Sequence, residues 1–460
     1  MNDAPASILS GLNGIAWPAV PKARGALLLS MLYQFDQSQW WTAEQMREHQ
    51  LAQLAHLLRH AYDTVPFYRR RFDAIGFRPG AHVTPAEFVA LPLLTRRDVQ
   101  SAGATLHASA LPPEFGNVVE TQTSGSTGEP VKLRNSGLDQ LLWEVITLRD
   151  HHWHARDFGG KFAAIRVFLH GGGGEPPHGT LVKNWGAPAG EIYATGPMAL
   201  LSLTADVATQ ARWLLEQDPD YLLTYPTNLA ALLAHFSGRS ERLPRLRAVR
   251  TVGETVTPEL RAACLEMWGA PITDVYSSQE LGYIALQCPA SRQYHVMAES
   301  VLMEILAADG MPCAPGEVGR LVVTKMHNFA SPLIRYELRD YAEVGTPCPC
   351  GRGLPTIARI VGRSRNMLTL PTGEQRWPLV GFSRYRDIAP IRQYQLIQRS
   401  LNDVEVRLVV DRALSGDEEA RLAAVITTAL DHSFRLSFVY LRGEIPRGPG
   451  GKFEEFISEL

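Results

Sequence analysis

The chain has 460 residues, 45% hydrophobic and 20% charged, which is the composition of a folded globular protein and excludes a disordered one. Lys and Arg total 45 against 47 Asp and Glu, a net charge of −2, so no basic excess exists to draw the chain onto nucleic acid or an anionic membrane. At about 150 residues per domain, the length predicts about three units.

In chain order, the segment up to about residue 40 reads as irregular, with Pro5, Pro18 and Pro21. Its apolar run at 26–33 is far short of the ~20 residues of a membrane span. The run also starts late and lacks a small-residue cleavage site, so no signal peptide is expected and a cytoplasmic protein is. From Glu44 to Tyr62, Met46, Leu51, Leu54, Leu57, Leu58 and Ala61 recur at helical spacing, predicting an amphipathic helix that ends before Pro66. The middle of the chain alternates strands (163–169, 301–306, 320–324) with helices (228–236, 258–268), which predicts an α/β architecture. Beyond about Arg363 the pattern shortens. Strands at 394–397, 404–410 and 438–441 surround a helix opened by Ser415 and Glu418 at capping-box spacing, which predicts a small α+β unit. No internal repeat is visible.

Chemistry concentrates in six places. Thr123-Ser124-Gly125-Ser126-Thr127-Gly128 combines glycines that let a backbone approach a ligand with hydroxyls and N–H groups that suit a polyanion. The bland alternative is a flexible linker. It is not a Walker loop, since Gly-x4-Gly-Lys-Ser/Thr is absent. Thr251-Val252-Gly253-Glu254 and Tyr276-Ser277-Ser278-Gln279-Glu280 follow, then Arg335-Tyr336-x3-Asp340. Gly362-Arg363-Ser364-Arg365-Asn366 comes next, and Pro446-Arg447-x3-Gly451-Lys452 ends the series. Each alone reads as a surface loop, a solvated carboxylate or a basic tail.

In this order the segments resemble the adenylate-forming superfamily of acyl-CoA synthetases and adenylation domains, along nearly the whole chain. Val65-Pro66-Phe67-Tyr68, Leu91-Pro92-Leu93-Leu94-Thr95-Arg96 and Cys348-Pro349-Cys350-Gly351-Arg352 point to the phenylacetate–CoA ligase branch and its capsule-biosynthesis-associated homologues. The resemblance implies a large N-terminal domain of α/β layers (1–362) that binds ATP and the acyl group, and a small C-terminal α+β lid (363–460). It implies that Thr123, Ser124, Gly125, Ser126, Thr127 and Gly128 grip the ATP phosphates, that Gly253 and Glu254 line the adenine pocket, and that Tyr276 is among the ATP-binding residues. It further implies Asp340 on the ribose and Arg363 at the ribose or α-phosphate. Glu280 would hold Mg²⁺, and Lys452 would neutralise charge between the carboxylate and the α-phosphate. Tyr225 and Pro226 would lie near the acyl pocket. Gln279, Arg365 and Asn366 depart from the family pattern, the last two at its hinge. Leu370-Pro371-Thr372-Gly373-Glu374 replaces the Gly-rich segment that shapes the acceptor side.

The implied activity is formation of an acyl-adenylate from a carboxylic acid, aromatic by branch, and transfer of the acyl group to CoA. A carrier-protein thiol or an amine is the alternative acceptor, and a non-catalytic zinc-containing binding homologue is the reading from another class. A homodimer is left open.

Three of the five cysteines join one histidine in a set, Cys288-x6-His295 with Cys348-x-Cys350, that carries the soft ligands of a closed tetrahedral Zn²⁺ site. The two pairs lie far apart in sequence, and only the resemblance joins them. Redox or catalytic cysteines are the rival reading. Cys264 and Cys313 are left as free thiols.

Overall fold

The computed structural model describes residues 7–122, 131–168, 173–363, 367–376, 385, 388–446 and 453–460. In chain order its helices are α1 (Ala23–Ser38), α2 (Ala43–Thr64), α3 (Pro66–Ala74), α4 (Pro85–Ala90), α5 (Arg96–Ala102), α6 (Gly137–Trp153), α7 (Ala189–Ile192), α8 (Val207–Gln217), α9 (Pro226–Phe236), α10 (Pro258–Trp268) and α11 (Gly416–Leu430). The strands are β1 (Val119–Gln122), β2 (Lys132–Asn135), β3 (Phe162–Arg166), β4 (Thr180–Val182), β5 (Met198–Ser202), β6 (Tyr221–Thr224), β7 (Ala248–Val252), β8 (Ile272–Ser278), β9 (Gly282–Gln287) and β10 (Tyr294–Val296). They continue with β11 (Val301–Leu306), β12 (Val318–Lys325), β13 (Tyr336–Val344), β14 (Thr356–Arg363), β15 (Leu368–Thr369), β16 (Gln375–Arg376), β17 (Ile391–Gln398), β18 (Asp403–Val410), β19 (Arg435–Tyr440) and β20 (Phe456–Ser458).

Two compact units emerge, not three. The larger holds most of the chain up to Ile360, and the smaller holds Val361–Leu460 together with Thr257–Glu259 and Arg339–Tyr341. Among the described residues, no helix is long and apolar enough to cross a membrane.

Among the described residues the larger unit is built on a twelve-stranded sheet, in the order β11-β12-β13-β14-β10-β9-β8-β7-β6-β3-β5-β4. Strands β5, β3, β6, β7 and β8 run parallel, and α8, α9 and α10 are the connections between successive members of the β5 to β8 series. Parallel strands joined this way are covered on both faces and read as continuous apolar runs. Strand β3 illustrates it: Phe162 and Ala164 enter one core with α1 and α6, while Ala163 and Ile165 enter another with α8, α9 and α10. From β8 onward the described pairings β8–β9, β9–β10, β10–β14 and β11–β12 are antiparallel. That half packs on α2, whose Leu54, Leu57 and Leu58 are fully buried. Truncating any one of them to alanine would cost about 2–5 kcal/mol.

Helix α2 begins with a capping box, Thr42 with Gln45, that satisfies two N-terminal amide donors reciprocally. The expectation of an irregular first forty residues is corrected by α1. Its Leu28, Leu32 and Phe35 fall on one face at helical spacing and are buried with Leu142 and Val145 of α6.

In the smaller unit, β19-β18-β17-β20 form a four-stranded sheet covered by α11. Leu422, Ile426 and Leu430 recur every four residues on one face and meet Leu396, Val404, Val406 and Leu408 of the strands. Ser415 and Glu418 close the capping box expected of them.

Candidate nucleotide site and metal centre

In an open parallel sheet, ligands bind beyond the carboxyl ends of the strands, because helix N-termini and loops gather there. Three of the expected segments occupy that position. Tyr225 and Pro226 follow β6, Gly253 and Glu254 follow β7, and Gln279 and Glu280 follow β8. Gly253 has φ of 80°, a left-handed conformation that favours glycine, and this turns the chain sharply off the end of β7. The Glu254 carboxylate accepts a hydrogen bond from the Thr227 backbone amide at 2.9 Å. It therefore ties the end of β7 to the first turn of α9, where Pro226 sits at the first helical position.

Tyr276 lies half-buried on β8, and the β8–β9 register shifts between Tyr276 and Ser277. A bulge of this kind re-aims side chains at a strand end. The Ser278 hydroxyl accepts from the Leu281 amide at 3.1 Å and closes the turn that carries Glu280. Glu280 itself pairs with Arg96 at 3.1 Å, and both side chains are largely buried at 13% and 15% exposure. A carboxylate at this strand end is the hard oxygen donor that Mg²⁺ takes alongside phosphate and water, so the residue fits the ion.

Strands β1 and β2 pair up to Gln122↔Lys132, on either side of the Thr123–Gly128 segment. That segment lies outside the described residues, as do Lys452, Arg365, Asn366 and the side chain of Arg363. Asp340 lies on β13 in the smaller unit and is buried.

Two buried networks behind the strand ends were not anticipated. Asp274 of β8 accepts from the Thr251 hydroxyl and from the Tyr294 hydroxyl, each at 2.6 Å, while Gln287 accepts from its backbone amide at 2.9 Å. Burial lifts its carboxyl to about 6 in spite of these donors. In the second network Asp150, at the end of α6, meets both Arg156 and Arg250 at 2.8 Å. Arg250 also donates to the Tyr283 hydroxyl at 2.7 Å, and Tyr283 stacks on Trp143 of α6. Burial raises the Asp150 carboxyl, but the two guanidinium groups outweigh it and hold the group well below the usual carboxylate range. His154 also approaches Asp150, at 3.6 Å, yet burial lowers it to about 4, so it stands neutral and forms no ion pair at neutral pH. A charged residue inside the apolar run Ala248-Val249-Arg250-Thr251-Val252 was the available signal, but nothing in the sequence pointed to its partner on α6.

Cys288, His295, Cys348 and Cys350 come together, with one donor atom from each lying within 4.8 Å of the others. The register explains how residues distant in sequence meet. Strand β10 pairs with both β9 and β14, His295 opposite Thr356, which brings the loop before β14 back over the end of β9. The Cys348 and Cys288 sulfurs are 3.6 Å apart and Cys350 lies 3.3 Å from His295 Nε2. A disulfide would require about 2.05 Å. A tetrahedral ion with Zn–S bonds near 2.3 Å spaces its sulfurs by about 3.8 Å, so the donors fit Zn²⁺. His295 Nδ1 faces the Leu354 carbonyl at 3.4 Å, which leaves Nε2 toward the sulfurs, and burial lowers its pKa to about 4, so the ring is neutral. Cys264 and Cys313 stand outside this cluster; burial pushes the Cys264 thiol up to about 12.

In fold the chain is similar to adenylate-forming CoA ligases, and in sequence it is similar to phenylacetate–coenzyme A ligases. No family model matches it. Its relatives include the phenylacetate–coenzyme A ligase of Thermus thermophilus, 26% identical over 449 residues, covering 90% of this chain and 97% of that one. The Escherichia coli K12 and Pseudomonas putida phenylacetate–coenzyme A ligases are 27% and 26% identical, each covering 72% of this chain and 74% and 73% of their own. The fold is shared with a 2-hydroxyisobutyryl-CoA ligase crystallised in the postadenylation state with 2-HIB-AMP, at a TM-score of 0.71, 17% identity and 92% coverage of both chains. In the thioesterification state with 2-HIB-AMP and CoA, that ligase aligns with a TM-score of 0.60 at 17% identity over 98% of this chain and 97% of that one.

Proposed function

We propose that the protein activates a carboxylic acid with Mg²⁺·ATP and passes the acyl group to the thiol of CoA. The carboxylate attacks the α-phosphorus, giving an acyl-adenylate and pyrophosphate; the thiolate then displaces AMP. The observation that carries this reading is the convergence of Tyr225–Pro226, Gly253–Glu254 and Tyr276–Glu280 at the carboxyl ends of β6, β7 and β8. It is supported by the phenylacetate–coenzyme A ligases among its relatives.

In this reading Thr123 to Gly128 hold the phosphates, Glu280 holds Mg²⁺, Gly253 and Tyr276 border the adenine, and Asp340 and Arg363 bind the ribose side. Lys452 supplies the cation that stabilises charge between carboxylate and α-phosphate. Glu254, which fixes the first turn of α9, borders the adenine with Gly253 and Tyr276. The smaller unit serves as the lid that carries Lys452. Zn²⁺ in the Cys288, His295, Cys348 and Cys350 cluster is structural, since four protein donors leave no open position for a reacting water.

The branch of the relatives favours an aromatic acid. ATP–pyrophosphate exchange across a panel of acids, followed by acceptor assays with CoA, holo-carrier protein and amines, tests the proposal. Exchange followed by thioester formation with CoA is expected. Thioester formed with carrier protein alone would overturn the choice of acceptor, and absence of exchange with every acid would overturn adenylation.

A further inference from the structure

Arg96 is placed with unusual firmness. The Leu94 amide donates to the Arg335 carbonyl at 2.8 Å, and the Glu337 amide returns a bond to the Leu94 carbonyl at 2.9 Å, so residue 94 is stitched to the start of β13. Arg335 adopts a left-handed φ of 52°, and its guanidinium donates to the Leu91 carbonyl and to both oxygens of Glu304. Arg71 donates to the Leu93 carbonyl, and Thr95 and Asp98 form the capping box of α5. The whole segment before α5 is thereby fixed, with Arg96 in the first helical position.

That position does nothing for the helix. The first turn of a helix favours acids over cations, and here Arg97 follows Arg96 directly. Arg96 pairs with Glu280, at 3.1 Å in a largely buried setting. Glu280 is the hard oxygen donor at the end of β8. Mg²⁺ coordination and a guanidinium hydrogen bond both draw on its carboxylate oxygens.

We propose that Arg96 is a positioning residue that holds Glu280 in the nucleotide-free protein and is displaced by Mg²⁺ when the metal–nucleotide complex enters. One cation is exchanged for another, so the carboxylate is never left buried without a counter-charge. The inference rests on the adenylation reading above and adds to it a competitor for the metal.

The test is Mn²⁺ binding, followed by electron paramagnetic resonance on the full-length protein with a non-hydrolysable α,β-methylene ATP analogue present. Wild type, Arg96→Gln, Arg96→Lys and Glu280→Gln are compared, with circular dichroism confirming that each is folded. Removing a largely buried competing charge should tighten Mn²⁺ in Arg96→Gln about three- to tenfold. Arg96→Lys should stay near wild type and Glu280→Gln should lose the site. Arg96→Gln binding Mn²⁺ as wild type does, or more weakly, would overturn the proposal while leaving the adenylation reading intact. Wild type binding no metal–nucleotide complex would instead overturn the adenylation reading and the proposal with it. Unchanged binding in Glu280→Gln would remove Glu280 from the metal and refute the exchange.

Discussion

The Tyr294 hydroxyl donates to Oδ2 of Asp274 across 2.6 Å, and this bond joins the strand carrying the proposed zinc ligand His295 to the strand that carries Tyr276 and leads into Glu280. Asp274 also receives the Thr251 hydroxyl from β7, two residues before Gly253. A single buried carboxylate thus ties together β7, β8 and β10.

Asp274 gives stability a pH dependence of defined sign. Its folded-state pKa is raised from 3.8 to about 6 by burial, so the protonated form is the one folding favours. The contribution is full below about pH 4 and is lost as pH rises through about 6. Asp274→Asn removes this titration. Urea midpoints at several pH values between about 4 and 7 should show wild type losing on the order of 2–3 kcal/mol relative to the variant as pH rises. Parallel pH curves for the two proteins would contradict the assignment.

The Asp150 network predicts a large, local cost. Asp150→Asn leaves the buried Arg156 and Arg250 guanidinium groups without their shared carboxylate. Breaking a buried pair in this way costs about 3–5 kcal/mol. Chemical denaturation should register the loss as a shifted midpoint with unchanged slope; a shift below about 1 kcal/mol would show that water reaches the cluster.

Metal content tests the four-ligand centre. Elemental analysis of protein purified without chelator should give about one zinc per chain, and Cys348→Ser should lower both zinc content and thermal midpoint, because metal affinity is coupled to folding. Wild type free of zinc, or a variant that keeps its full complement, would disprove the centre.

Lys452→Ala should lower ATP–pyrophosphate exchange by about 10²–10³-fold, the scale for losing one preorganised charge aimed at the transition state. ATP affinity in equilibrium binding should change little. Full exchange activity in the variant would remove the lysine from its role.

Much of the architecture was legible from periodicity. Helix α10 has the ends expected of it, 258–268, and the Ser415–Glu418 spacing marked the start of α11. Helix α9 starts two residues earlier than expected because Pro226 is preorganised for the first helical turn. Strand β19 was expected at 438–441 but begins at Arg435, because parallel pairing with β18 sets Arg435 beside Asp403 and recruits a polar start that hydropathy cannot mark. The strand-end segments were visible because glycines, hydroxyls and acids recur there in a recognisable order. What stayed hidden depends on partners distant in sequence: Arg96 with Glu280, Asp150 with Arg250, Tyr294 with Asp274. Cys288 and Cys350 were joined in the sequence by the resemblance alone, and the register of β10 against β9 and β14 is what brings them together.

The outermost strand at one end of the twelve-stranded sheet is β4, only three residues long, with Lys183 immediately after it. A foreign strand docking there would find a ladder of at most three residues and then a charge that resists desolvation. This margin is therefore a poor template for runaway strand addition. The breadth of the sheet thus brings no long open ladder to that side.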